Sequence, residues 1–371
     1  MSIRSKVTRA GWAAILCSGF AFAQVPDAHG SLKIDFPSDS PVTLVSADWG
    51  QSKPAARGGA VILDLHTSLS LRNSGQRRIR GVTLIVLAQE VTPGGKGSVT
   101  VPSLDVAPGE TFPVRIDLRL LRPVLNAEAM PVQIGLDGVL FEDLSFFGPN
   151  KLNSQRAMTV WELEAQRDRR FFKSVLEKAG AEGLRKEILA CLSRRSDHPQ
   201  GIQMVRGRST NYEPEREMQF AFLQFPDSPI EPLDGAARIA GNEAREPNVH
   251  IRNRSSKPVR YLEIGWIVED QQGKEFLAGS VPAEINIAPG QKSQILRDTT
   301  LRFPERTGIK TMTAFISNVE FSDGKYWIPS RAAISADRMQ RALGPSPEEQ
   351  RLLAIYNKWG LKGLTEELKK F

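Results

Sequence analysis

Ile251-Arg252-Asn253-Arg254-Ser255-Ser256-Lys257-Pro258-Val259-Arg260-Tyr261-Leu262-Glu263-Ile264-Gly265-Trp266-Ile267-Val268 is the stretch that decides the fold. Past its polar turn, Leu262, Ile264, Trp266 and Val268 alternate with Glu263, Gly265, Ile267 and Glu269, the period of a strand with one face buried. The pattern also stands earlier in the chain, where Leu71-Arg72-Asn73 matches Ile251-Arg252-Asn253 at a separation of 253 − 73 = 180 residues. At that offset Ile79 meets Val259, Val82 meets Leu262, Leu84 meets Ile264, and Val101-Pro102 meets Val281-Pro282. Ala107-Pro108-Gly109 meets Ala288-Pro289-Gly290 one residue later, after which Val139, Phe141 and Asp143 return to register with Val319, Phe321 and Asp323. Far downstream, Lys178, Gly180, Gly183, Leu184 and Glu187 match Lys358, Gly360, Gly363, Leu364 and Glu367. Chance does not hold one register over such a span, so the chain contains a repeat, with units at residues 41–193 and 218–371.

The first two-thirds of each unit is composed for strands. Asn73-Ser74-Gly75 and Asn253-Arg254-Ser255 carry turn chemistry, because an Asn side chain bonds nearby backbone. Pro108-Gly109 and Pro289-Gly290 suit tight turns, and Asp323-Gly324, between Phe321 and Tyr326-Trp327, is a hairpin signal. Strands at this spacing predict antiparallel β-sandwiches over residues 41–150 and 218–330. The last third changes period. Ser154 to Lys178 holds no Gly or Pro, and Ser346-Pro347-Glu348-Glu349 is a capping box with Pro at the first helical position. Helices are therefore expected over residues 151–193 and 331–371, with Gly180 and Gly360 as their C-caps. Residues 24–40 and the polar, basic stretch 194–217 are expected to be linkers. The expected fold is mainly β with helical additions: two tandem antiparallel sandwiches, each followed by a helical segment.

The order of Asn turn, alternating strand, Gly-bearing turn and hydrophobic-x-Pro-Gly loop resembles bacterial Ig-like and fibronectin-like extracytoplasmic modules, over about one hundred residues per copy. The resemblance implies Ig-like sandwiches that serve in binding, spacing or adhesion, and it carries over no functional residue.

Residues 1–23 carry Arg4, Lys6 and Arg9 without an acid, then an apolar run closed by Ala21-Phe22-Ala23. That is the form of a secretory signal peptide, so a mature start at Gln24 and a periplasmic or secreted location are expected. Leu16 before Cys17 does not fit a lipid-anchored start. Without the leader, 46 Lys and Arg (49 − 3) oppose 42 Asp and Glu, a formal +4 that is too mild to argue for nucleic acid. Cys191 is then the only cysteine, which excludes an intramolecular disulfide. No stretch after the leader has the length and apolar character of a transmembrane segment.

Motifs that carry chemistry are missing. His29, His66, His198 and His250 lie neither in HExxH spacing nor beside a cysteine, so no metal site is expected. Gly94-Gly95-Lys96-Gly97-Ser98 imitates a phosphate loop but occupies a hairpin position. No nucleophile elbow, Walker loop or dinucleotide fingerprint follows a plausible strand. No catalytic or cofactor-binding residue and no cofactor are expected, and the protein reads as a non-enzyme. Asp143 and Asp323 are expected to form turns, Cys191 to be a buried structural cysteine, and Arg77, Arg78, Arg80 and Arg260 to be solvated. Trp266 and Trp359 are expected to pack in cores. Only one of Tyr326 and Trp327 can point inward on a strand, which makes this pair the candidate exposed aromatic contact. Leu361, Leu364 and Leu368 repeat the spacing of Leu184 and Ile188 and are expected to pack on the second unit.

The leading expectation is an exported, non-enzymatic binding or scaffold protein whose partner is a protein or an envelope polymer. One alternative is a carbohydrate- or envelope-polymer-binding protein, marked by aromatics in a row on one sheet face. The other is a hydrolase of unrecognised type, marked by a cleft with converging carboxyls of raised pKa. Nothing in the sequence bears on oligomeric state.

Overall fold

The computed structural model describes residues 32–57, 60–89, 94–123, 132–194, 201–207, 214–304 and 308–371. The signal peptide, Gln24, His29 and His198 lie outside the described residues. The chain is mainly β, with 48% strand and 23% helix, several sheets and few helices. A first β region runs β1 (Leu32–Asp35), β2 (Val42–Asp48), β3 (Lys53–Arg57), β4 (Ala60–Asn73), β5 (Ile79–Leu87), β6 (Lys96–Val101), β7 (Thr111–Pro123), β8 (Val132–Phe141) and β9 (Phe146–Phe147), and leads into helix α1 (Ser154–Leu192). The second runs β10 (Gln203–Arg206), β11 (Arg216–Gln219), β12 (Ala221–Phe222), β13 (Ile230–Ala240), β14 (Glu243–Asn253), β15 (Val259–Asp270), β16 (Glu275–Ile287), β17 (Lys292–Ile295), β18 (Thr299–Arg302), β19 (Ile309–Phe321) and β20 (Tyr326–Trp327). Helices α2 (Arg331–Ile334), α3 (Asp337–Ala342) and α4 (Pro347–Leu368) follow.

Each region holds two sheets that share one core. In the first, the order β1-β8-β5-β6 faces a sheet in which β4 pairs β7 on one edge and β2 and β3 on the other. Leu69, Leu71, Val114 and Ile116 from the latter meet Val82, Leu84, Ile134 and Val139 from the former. In the second, β12-β19-β15-β16 and β10-β18-β14-β13-β11 enclose Trp266, Ile251, Leu262 and Val319 in the same way. The alternation that marked β15 in the sequence puts Leu262, Ile264, Trp266 and Val268 into this core.

The pairing register repeats with the sequence. Val82 opposes Val139 and Leu262 opposes Val319, while Val139 opposes Phe147 and Val319 opposes Trp327. Asn73 and Asn253 are fully buried. Asn73 Nδ2 donates to the carbonyls of Arg77 (2.9 Å) and Val106 (3.1 Å) and its Oδ1 accepts from Gly75 N (3.0 Å). Asn253 does the same with Lys257 (2.8 Å), Ile287 (3.1 Å) and Ser255 N (2.9 Å). Each ties a hairpin turn to the neighbouring loop. Asn253→Ala leaves two carbonyls and an amide without this partner and is expected to cost about 2 kcal/mol or more, read as a lower urea midpoint; an unchanged midpoint would refute this role.

Both stretches expected to be linkers contribute strands. Leu32–Asp35 pairs parallel with β8, with Ile34 opposite Ile134, and Ala221–Phe222 pairs parallel with β19, with Phe222 opposite Ala314. Met204 opposes Leu301 through β10, inside the 194–217 stretch, and β11 begins at Arg216. Backbone amides of an otherwise open sheet edge find partners this way.

Gly180 and Gly360 do not end helices. Each sits inside one, as a kink with φ 67°, ψ −166° and φ 65°, ψ −165° respectively. That region of backbone space is open essentially to glycine alone, and no atom lies within 4 Å of the position a Cβ would take at either site. Gly360→Ala is therefore expected to destabilise by about 1–3 kcal/mol through backbone strain without a steric clash; an unchanged urea midpoint would contradict it.

Candidate functional site

Helix α1 lies between the two β regions. Its start is fixed by Asp137 on β8, which accepts from Ser154 Oγ (2.6 Å) and Leu152 N (3.3 Å). On one side Met158 covers Gly81, where a Cβ would come within 2.9 Å of the Met158 sulfur. On the other, Arg156 Nε donates to Glu320 on β19 (2.6 Å), and its guanidinium stacks 3.7 Å above the Tyr261 ring. The segments after both kinks then pack together, with Phe172, Leu184 and Ile188 of α1 against Leu352, Leu364 and Leu368 of α4. Leu364 and Leu368 are fully buried as expected, but in a cluster shared with α1 rather than on the second unit alone.

A buried ionic chain runs alongside this helical block. Arg80 and Arg260 occupy the same place in each region, the extra residue of a bulge where β5 pairs β8 and β15 pairs β19. A bulge re-aims a side chain. Arg80 is buried, not solvated as expected: its Nη1 donates to Asp105 (2.7 Å) and its Nε lies 3.8 Å from Glu162 on α1. Arg169 donates to Glu162 and approaches Glu348 of α4 at 3.4 Å, and Arg351 joins Glu348 at 2.7 Å. Burial holds the Glu162 carboxyl above the ordinary range against the pull of Arg169 and Arg80. Arg260 instead reaches Glu320, which Tyr326 also meets through its hydroxyl (2.9 Å).

Beside the block is a cavity of about 850 Å³ walled by α1, by β15, β16 and β19, and by the segment running from α2 into α4. Such a volume is that of a small-molecule site. Trp161 and Phe315 supply apolar wall, and Gly265 makes room for Phe315, whose ring would sit 2.2 Å from a Cβ there. At one end the charges are matched. Asp168 lies 3.1 Å from Arg167 and 3.2 Å from Arg331 and accepts from Ser346 Oγ (2.7 Å), while Glu349 accepts from Arg194 (2.6 Å) and Arg331 (2.8 Å). Burial raises Glu349, but these arginines hold it below the usual range. Cys191 adjoins this pair; burial and then Glu349 push its thiol up to about 11, so it is an inert packed cysteine as expected.

At the other end, acceptors face the cavity. Burial, then Asp168 and Glu263, push the Glu164 carboxyl up to about 7 against the pull of Arg167. Glu263 accepts from Tyr261 (2.8 Å) and Ser280 (2.9 Å), and Asn318 is its cross-strand neighbour. Asn318 is 2% exposed and its Oδ1 has no hydrogen-bond partner. None of these three was singled out from the sequence; Glu263 appeared only as the polar half of an alternation, and a strand's polar face does not reveal what will cover it.

The sequence-derived candidates fall elsewhere. Tyr326 and Trp327 form β20 and are half-buried, Tyr326 bonded to Glu320 and Trp327 Nε1 donating to Asp227 (3.3 Å) while packing against Phe225. Phe146 and Phe147 hold the same place on β8, which makes the aromatic pair part of the repeated framework. Trp359, expected in a core, is 59% exposed under Lys358. Asp143 and Asp323 form turns, accepting from Ser145 N and Lys325 N (3.0 and 3.1 Å). His66 and His250 stand at the surface beside Asp117 and Asp234, and among the described residues no group of three metal-binding side chains converges. No described helix is long and apolar enough to cross a membrane.

No family model matches this chain. No curated protein matches it either. Among solved structures it is weakly similar to red sea bream transglutaminase, at 10% identity over 76% of this chain and 29% of that one, with a TM-score of 0.13. It is also weakly similar to β-glucosidase from Kluyveromyces marxianus, at 9% identity over 73% and 45%, with a TM-score of 0.16. The chain spans less than half the length of either, and likeness at this level carries no argument about fold or function.

Proposed function

We propose that this is an exported, non-enzymatic binding protein of two tandem Ig-like sandwich modules, which presents a protein or envelope-polymer partner with one fixed surface. The observation that supports it best is the shared helical block: α1 and α4, each closing one repeat, bury Leu184, Ile188, Leu364 and Leu368 against one another. Modules joined by a flexible linker keep their relative motion; modules joined by a packed core and a buried ionic chain act as one body. The leader at residues 1–23 supports export. The test is expression of the full chain, fractionation, and pull-down of the mature protein from envelope extracts. Extracytoplasmic material beginning at Gln24 with a reproducibly enriched partner is expected; an intact Met1 in that material, or no partner enriched over a bait-free control, would contradict the reading. One alternative has a specific observation behind it. A carboxyl pushed up to about 7 in a cavity is suited to general-acid work, and hydrolysis of an envelope polymer that Glu164→Gln abolishes would replace binding with catalysis.

A further inference from the structure

We propose that the cavity between α1 and the second β region binds a small organic ammonium ion, a primary amine or amino sugar, through the Glu164 and Glu263 carboxyls and the Asn318 carbonyl oxygen. The inference concerns a ligand of this chain and stands apart from the identity of any macromolecular partner. It starts from Asn318. A side-chain oxygen buried to 2% exposure without a hydrogen-bond donor costs free energy unless something supplies one, and this oxygen belongs to a residue that lines the cavity.

The neighbours decide the chemistry of the missing donor. Glu263 stands across the strand pair from Asn318, and its protein partners are two hydroxyls, of Tyr261 and Ser280, which leave its charge uncompensated. Glu164 completes the wall from α1. The arginines around the cavity are committed at its opposite end, Arg331 and Arg194 to Glu349 and Arg331 with Arg167 to Asp168. What remains at the acceptor end is two carboxyls and an amide oxygen, with the Trp161 and Phe315 rings as apolar wall. An ammonium group supplies N–H donors to all three acceptors, and its carbon frame suits the aromatic surface.

The Glu164 carboxyl must be ionised to take the cation, and in the empty cavity burial, Asp168 and Glu263 push it up to about 7 against Arg167. Cation binding therefore strengthens as pH rises through 7 and releases protons. Between pH 6 and pH 8 the ionised fraction of such a group changes about tenfold, and the affinity should follow.

Titration calorimetry on the full mature chain tests this with 1,4-diaminobutane and glucosamine against the neutral 1,4-butanediol and glucose. Expected are at least tenfold tighter binding of each amine than of its neutral counterpart at pH 8, about tenfold weaker amine binding at pH 6, and proton release at pH 7 seen as a buffer-dependent heat. Glu164→Gln should remove the pH dependence and weaken binding, and Asn318→Leu should weaken it without altering the pH dependence. Glu263→Gln, which keeps both hydroxyl partners, guards against misfolding of either. The proposal is overturned if neutral and amine compounds bind alike, if neither binds, if calcium binds more tightly than the diamine, or if amine binding persists unchanged in folded Glu164→Gln.

Discussion

Deletion of residues 361–371 is expected to lower the melting transition of the whole chain, by on the order of 10 °C. The segment carries Leu364 and Leu368, both fully buried against Phe172, Leu184 and Ile188, and Glu367, which meets Arg351 at 2.5 Å. Burying two leucines contributes about 3–6 kcal/mol on the usual scale, and the void left behind adds to the loss. At about 2–4 °C per kcal/mol for a chain region of this size, the shift is large. The decisive point is where it falls. Because half of the cluster comes from α1, the first β region loses support together with the second. A deletion that leaves the first region's melting untouched would show that the two helical segments do not share a core.

Replacing Arg169 by Ala is expected to cost about 3–5 kcal/mol, the usual penalty for stranding buried charge. Arg169 bridges Glu162 on α1 and Glu348 on α4, and all three side chains are buried. Arg80 retains a contact with Glu162 at 3.8 Å, and Arg351 one with Glu348, so the chain is cut rather than dismantled. The pH dependence identifies the cause. In the intact protein burial already raises the Glu162 carboxyl, so the folded state holds that proton more tightly than the unfolded one, and the group's contribution to stability falls as pH rises through the raised value. Loss of Arg169 raises it further. The deficit of Arg169→Ala should thus be greatest at neutral and alkaline pH and shrink on acidification, measured by urea unfolding at several pH values. A deficit independent of pH would assign Arg169 to packing instead.

Most of the β framework was legible, for a physical reason: strand period and turn chemistry are local. Asn73 and Asn253 announced their turns because an Asn side chain satisfies backbone within a few residues, and the alternation at Leu262 to Val268 named the core face. Leu32–Asp35 escaped although a signal was present. Phe36-Pro37 and Asp39-Ser40-Pro41 match Phe225-Pro226 and Asp227-Ser228-Pro229, and Ser40 and Ser228 both bond the residue two positions on. Their separation is 228 − 40 = 188 residues, so a search fixed at 180 passes over them. Gly180 and Gly360 were recognised as interruptions but not as kinks, since a glycine with positive φ both ends helices and bends them.

The candidate site was not legible, because its walls come from distant parts of the chain. Arg80 looks like any surface arginine until a bulge turns it toward Glu162 of α1. Glu164 sits in a helix rich in charge, and only the placement of α1 against β15 and β19 separates it from its solvated neighbours. Trp359 shows the reverse error: proximity to a kink does not bury a side chain whose face of α4 is open.

The account turns on the two β regions forming one body through α1 and α4, and scanning calorimetry of the intact chain tests this most directly. It predicts a single transition whose calorimetric and van't Hoff enthalpies agree, a ratio of about one. Two transitions, or one whose calorimetric enthalpy is about twice the van't Hoff value, would mean the regions unfold independently and would contradict it.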